Sequence, residues 1–270
     1  MTRPYAEVIG DPVDHSLSPV IHRFWLECLG LVGDYRARPV AVDGLAAYFA
    51  DRRTDPAWRG CNVTIPHKLA ALGHVEDRGG VRKSMGAINT VLRESDGGLI
   101  GTNTDAAGFY APISGMDVAG VPVVMIGAGG AARAVLFALA RAGVGPVTIL
   151  NRTLLKAAGL LGDFGLKGDA LPLNAPLPPA GLLVNASPFG MTGQPGLELD
   201  LSPLPEDAVV YDLVYAPVET PLLAAARARG LDTVDGLEML IAQAAIAFEL
   251  FFGEAPPREI DAELREILTR

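Results

Sequence analysis

Cysteine is scarce in this chain: Cys28 and Cys61 are the only two among 270 residues. That is too few for a disulfide framework, and their spacing fits no metal motif, so a reducing, cytoplasmic setting is expected. The four histidines, His15, His22, His67 and His74, form no recognisable ligand set, and no metal is expected. Basic charge is also in deficit. With 22 Lys and Arg against 31 Asp and Glu, the net charge of −9 argues against nucleic acid, whose recognition rests on clustered cations. No apolar signal region precedes the first strand-like run. The most apolar stretch, GLEMLIAQAAIAFELFFG at 236–253, is broken by Glu238, Gln243 and Glu249, so it reads as a core helix and not as a membrane span. What remains is a globular protein.

Half of the residues are hydrophobic and 20% are charged, enough to bury one large or two ordinary domains at this length. Short β-rich runs alternate with helical patterns, which predicts an α/β fold. YAEVIG at 5–10 reads as a strand, followed by a helix with Ser18 at its N-cap and Pro19 at its first position. A strand near DYRARPV, a helix near DGLAAYFADRR and the strand GCNVT come next. A further helix is expected to open at Pro66, because proline's fixed φ suits a first turn. Lys68 would then sit where the partial positive charge of a helix start disfavours a cation, which raises the question of its purpose. The Asp-Gly-Gly turn at Asp96 predicts a hairpin, hence a mixed, mainly parallel sheet. A new unit begins near 105–120, with strands at VPVVMI, PVTILN, GLLVNAS and AVVYDLVY.

GAGGAA at 127–132 fits G-x-G-x-x-G/A between an apolar strand and a helix, the setting of a Rossmann-type dinucleotide site. Gly127 permits the turn, Gly129, one residue beyond Ala128, lets the backbone approach a pyrophosphate, and Gly130 and Ala131 offer helix-start N–H groups. The end of the second strand decides the cofactor. In place of the acidic residue that binds the ribose of NAD stand Asn151, Arg152, Thr153 and, one turn on, Lys156, donors suited to a 2′-phosphate. NADP is the expected cofactor.

Taken with NVTIPHK (62–68), GAINT (86–90), GTNTDAAGF (101–109), GDPVDHSLSPVIH (10–22), NASPFGM (185–191) and YDLVY (211–215), the chain resembles the shikimate dehydrogenases. The resemblance spans nearly the whole sequence. It implies a discontinuous substrate domain, 1–105 with 237–270, and an NADP-binding Rossmann domain over 106–236. It implies Ser16 and Ser18 on the substrate carboxylate, and Thr64, Asn89, Tyr215 and Gln243 as further substrate contacts. Leu213 and Gly236 would border the nicotinamide. Lys68 is implied as the acid/base of the reaction and Asp105 as its partner, because reducing a ketone by hydride needs a proton delivered to the developing alkoxide. His67 reads as structural. Two motifs depart from the commonest wording: Arg23 follows His22, and Ser187 and Phe189 alter the NASPFGM stretch. A quinate or aminoshikimate dehydrogenase, or a catalytically silent NADP-binding module, therefore stays open at this point, as does a homodimer.

Overall fold

The computed structural model describes residues 3–270. They form two compact units: one runs to Asp105 and resumes over Ile241–Arg270, and the other is Ala106–Leu240.

In the first unit the chain runs β1 (Tyr5–Gly10), α1 (Ser18–Cys28), β2 (Asp34–Pro39), α2 (Leu45–Thr54), β3 (Trp58–Val63), α3 (Val81–Ser84), β4 (Thr90–Arg93) and β5 (Leu99–Thr102). The sheet order is β2-β1-β3-β4-β5. Strands β1, β2 and β3 are parallel, while β4 runs against both β3 and β5, so the sheet is mixed as expected. Strand β1 is buried along its whole length, the mark of a central strand covered on both faces. The hairpin lies where the sequence puts it: Glu94 N–H donates to the Gly98 carbonyl at 2.8 Å, and Gly97 takes a φ of 89° that only glycine adopts freely.

Two local expectations are corrected. No helix opens at Pro66. Residues 65–69 form turns after a cis Ile65–Pro66 bond, and only a short 3-10 segment, Ala70–His74, follows. A proline suited to a first turn was present, but the apolar run behind it was too short to carry a helix. Ser18 is not the cap of α1 either: Leu17 holds that position. The backbone N–H of Ser18 donates to Ser16 Oγ at 3.3 Å, so Ser16 supplies the local acceptor that Ser18 was expected to supply.

The second unit holds most of α4 (Asp105–Tyr110), then β6 (Val123–Ile126), α5 (Gly130–Ala142), β7 (Val147–Leu150), α6 (Leu154–Asp163), β8 (Ala170–Leu171), β9 (Leu182–Asn185), β10 (Val209–Asp212), α7 (Pro221–Ala228) and β11 (Asp232–Val234). All pairings are parallel, in the order β11-β10-β9-β6-β7-β8. Counted from β6, that is the doubly wound order 3-2-1-4-5-6, with the reversal between β6 and β9. Strands β6, β9 and β10 are buried throughout, and each fully buried Val or Leu contributes about 1.5–3 kcal/mol. Helix α8 (Gly236–Phe252) starts in this unit, and from Ile241 onward belongs to the first. A final helix, α9 (Asp261–Leu268), buries Leu264, although its short acidic sequence gave no signal of it.

Candidate active site

In the first unit the candidate residues gather at one edge of the sheet. Because β1, β3 and β5 point the same way, the segments that follow them emerge together, and antiparallel β4 begins at that same edge. The loop with Ser16 follows β1, the Thr64–Lys68 turn follows β3, Asn89 precedes β4, and Thr104 and Asp105 follow β5. Register locks this level: Asn62 pairs with Thr90, and Thr90 with Thr102. The turn is fastened on both sides. Thr64 N–H donates to the Ile9 carbonyl at 2.9 Å and Ile88 N–H to the Lys68 carbonyl at 2.9 Å. A Cβ on Gly10 would lie 2.5 Å from the Thr64 methyl, so glycine at the end of β1 is what lets the two segments approach. His67 is buried and its Nε2 bonds the Val40 carbonyl at 2.6 Å, which gives it a structural task.

Lys68 and Asp105 form an ion pair through Nζ and Oδ2. Both side chains are largely withdrawn from solvent, 14% and 7% exposed, so the attraction is far less screened than a surface pair. The second carboxylate oxygen is also engaged: Asn89 Nδ2 donates to Asp105 Oδ1 at 2.8 Å. Asn89 is in turn held in one amide orientation, since its Oδ1 accepts from Thr104 N–H at 2.7 Å and from the Thr90 hydroxyl at 2.9 Å. Its Nδ2 also donates to Thr104 Oγ1 at 2.9 Å and, at 3.4 Å, to Gln243 Oε1. Thus Lys68, Asp105, Asn89 and Gln243 are brought together, and Ser16 meets Ser18 in the neighbouring loop. Thr104 joins the same set although the sequence did not single it out; its motif, NTD, was the only available signal. A behind-the-edge support continues through Asn62, whose Nδ2 donates to Thr90 Oγ1 at 3.1 Å and whose Oδ1 accepts the Tyr35 hydroxyl at 2.6 Å.

In the second unit the candidate cofactor residues occupy the C-terminal ends of the parallel strands. Gly127 has φ 100°, and a Cβ there would come within 2.9 Å of the Ala186 carbonyl; the turn therefore demands glycine. Gly129 caps α5 in an extended conformation, with nothing within 4 Å of where a Cβ would stand. That open space over a helix start, with N–H groups at Gly130 and Ala131, is a cradle a side chain would fill and a pyrophosphate fits. Ala128 is buried beneath it. At the end of β7, Asn151 Nδ2 donates to the Thr153 carbonyl at 2.9 Å, which shapes the loop. Arg152, Thr153 and Lys156 are exposed, and among the described residues neither cation has an ionic partner. Leu213 and Gly236 do meet: a Cβ on Gly236 would lie 2.3 Å from the Leu213 carbonyl. Tyr215 belongs to this unit, is partly buried, and burial raises the pKa of its phenol. Among the described residues no cluster of three or more metal-ligating side chains occurs, and no helix of theirs is long and apolar enough to cross a membrane.

A family profile for the shikimate dehydrogenase substrate binding domain matches residues 8–91, and one for the shikimate 5′-dehydrogenase C-terminal domain matches residues 236–263. A shikimate dehydrogenase (NADP(+)) from Sphingopyxis alaskensis is 66% identical over 265 residues, covering 98% of this chain and 97% of that relative. Among solved structures, shikimate 5-dehydrogenase from Thermus thermophilus, in complex with NADP(H) and shikimate, superposes with a TM-score of 0.86 at 40% identity, covering 98% of this chain and 99% of that one. The ligand-free 5-ketofructose reductase of Gluconobacter sp. strain CHM43 superposes as well, with a TM-score of 0.89, but at 30% identity over 99% of each chain. Fold alone therefore does not set the substrate. Near-complete coverage at 66% identity places this chain in the shikimate dehydrogenase family.

Proposed function

We propose that this protein is an NADP-dependent dehydrogenase that interconverts 3-dehydroshikimate and shikimate. The observation that carries the reading is the Lys68–Asp105 ion pair, locked from behind by Asn89, at the edge where Ser16, Ser18, Thr64 and Gln243 stand. Bound NADPH supplies the hydride. Shikimate is a small anionic polyol, and hydroxyls and amides at this edge match it: Ser16 and Ser18 bind the carboxylate, and Thr64, Asn89 and Gln243 bind ring hydroxyls, with Tyr215 a further contact implied by the family resemblance.

Lys68 Nζ donates a proton to the ketone oxygen as it becomes an alkoxide, and takes it back in the reverse oxidation. Asp105 keeps the ammonium aimed before transfer. Its carboxylate does not swing, because Asn89 occupies Oδ1 while Oδ2 takes the lysine; such fixed geometry supplies catalysis by positioning. The glycine turn at Gly127, Gly129 and Gly130 holds the pyrophosphate, and Arg152, Thr153 and Lys156 take the 2′-phosphate that distinguishes NADP from NAD. A setting in a reducing cytoplasm is supported by two free thiols, Cys28 exposed and Cys61 buried.

The test is a matrix of shikimate, quinate and aminoshikimate against NADP and NAD, followed by absorbance of the reduced cofactor. Turnover of shikimate with NADP is expected to dominate. Turnover confined to quinate with NAD would overturn the reading.

A further inference from the structure

At the other end of the second unit's edge, away from Arg152, lies a polar network that the reading above leaves without a task. Asn185 and Asp212 are the last residues of β9 and β10 and stand opposite each other in register. Both are fully buried, and Thr220, at the cap of α7, is 1% exposed. Asp212 Oδ1 accepts from Asn185 Nδ2 at 2.8 Å and from Val214 N–H at 3.0 Å, and Oδ2 accepts the Thr220 hydroxyl at 2.7 Å. Among the described residues no cation pairs with it.

Each partner then fastens a loop. Asn185 Oδ1 accepts both the N–H (3.1 Å) and the hydroxyl (2.6 Å) of Ser187, and its Nδ2 donates to the Phe189 carbonyl at 3.0 Å. Leu213 N–H donates to the Asn185 carbonyl at 3.0 Å, and Thr192 N–H to the Ala216 carbonyl at 2.8 Å. Loop 186–192 after β9 and loop 213–216 after β10 are therefore tied to one carboxylate and to each other. A buried carboxylate without a counter-ion is a costly way to join two loops. Simple packing would do that at less expense, so the placement itself is what the arrangement secures.

The doubly wound sheet says what is being placed. Its two halves each bind one mononucleotide, across the reversal between β6 and β9. Arg152, just after β7, and Lys156, in the first turn of α6, claim the half that bears the 2′-phosphate. The opposite half, over β9 and β10, is left for the mononucleotide that carries the reacting ring. We infer that Asp212, acting through Asn185 and Thr220, is the positioning residue for the nicotinamide half of the dinucleotide. The inference rests on the reading of NADP as cofactor.

Binding to the full chain separates the two halves. NADPH probes both, while 2′,5′-ADP probes only the adenosine half, and isothermal titration measures each. Asp212→Asn keeps shape but cannot accept all three hydrogen bonds; Thr220→Val removes the hydroxyl, and Thr220→Ser restores it. Asp212→Asn and Thr220→Val are expected to weaken NADPH by about tenfold, the worth of roughly one lost hydrogen bond, while 2′,5′-ADP stays within about twofold and Thr220→Ser matches the unaltered protein. Retained 2′,5′-ADP binding also shows that the unit is folded. Equal losses for both ligands, or unchanged NADPH affinity in Asp212→Asn and Thr220→Val alike, overturns the inference. Failure of the unaltered protein to bind either ligand instead removes the cofactor reading beneath it.

Discussion

The edge of the mixed sheet and the edge of the parallel sheet do different kinds of work with different materials. At the first, the proposed function rests on side chains: Lys68, Asn89, the adjacent Thr104 and Asp105, and Gln243 come from four separate places in the sequence and are fixed by hydrogen bonds to one another. At the second, much of it rests on the backbone: Gly127 turns where a Cβ would strike Ala186, and Gly129 leaves space above a helix start. Buried side-chain networks tolerate little alteration of chemistry, whereas a backbone cradle tolerates little alteration of shape. Substitutions should therefore fail in opposite ways at the two edges.

The largest effect is expected at the first edge. Lys68→Ala should lower turnover by roughly 10²–10⁴-fold, the range of general acid–base catalysis, while shikimate affinity changes little and the thermal midpoint falls because Asp105 is left buried without its counter-ion. A variant that keeps turnover within tenfold would break the comparison at its strongest point. At the second edge, Arg152→Ala should weaken NADPH binding by about 10–100-fold, the worth of a charge-assisted hydrogen bond, without altering NADH binding; parallel loss of both cofactors would mean that Arg152 does not read the 2′-phosphate. Gly127→Ala tests shape alone. With φ at 100° and a carbonyl at 2.9 Å from the new Cβ, it should cost about 1–3 kcal/mol of stability in chemical denaturation, together with loss of cofactor binding. Full stability and binding would show that the turn can be reached by other residues.

The effect furthest from turnover concerns a support of the first edge. His22 is buried against Tyr35, with ring centroids 3.9 Å apart, and neither of its ring nitrogens has a hydrogen-bond partner among the described residues. Burial lowers its pKa to about 3. The folded protein thus holds it neutral while the unfolded chain takes up a proton near its ordinary value of about 6.5. This contribution to stability is complete above that value, and is lost as pH falls toward about 3, at about 1.4 kcal/mol per pH unit. Denaturation midpoints of His22→Phe should fall less steeply with acid than those of the unaltered protein. Equal slopes would assign the acid sensitivity to other groups.

Legibility in the sequence differed between the edges for the same reason that their materials differ. A backbone cradle is local, so GAGGAA and the NRT run could be read as a dinucleotide site from spacing and chemistry. The buried network is not local. Asn89, Asp105 and Gln243 were reached through resemblance to a family, and Thr104 was missed, because nothing in a linear pattern says which distant amides will share a carboxylate. Likewise, NVTIPHK suggested a helix start at Pro66 and a lysine placed against a helix's positive end. The structure puts Lys68 in a turn instead, and its position is explained by Asp105, 37 residues on. Asn185 and Asp212 stood inside NASPFGM and YDLVY, but nothing in those motifs marked them as partners, and Thr220 gave no signal.

By itself the sequence determined the α/β class, the order of the main strands and helices, the hairpin at Asp96, and a cofactor turn followed by cationic donors. Those features depend on periodicity, on glycine's conformational range and on residues within about 25 positions of one another, all of which are properties of short segments. Tertiary structure decided the rest: the strand order of each sheet, the common edge where β1, β3, β4 and β5 deliver their polar residues, the pairing of Lys68 with Asp105, and the carboxylate that joins two loops. Each of these is a contact between segments far apart in the chain, fixed only when burial and strand register choose one partner among many.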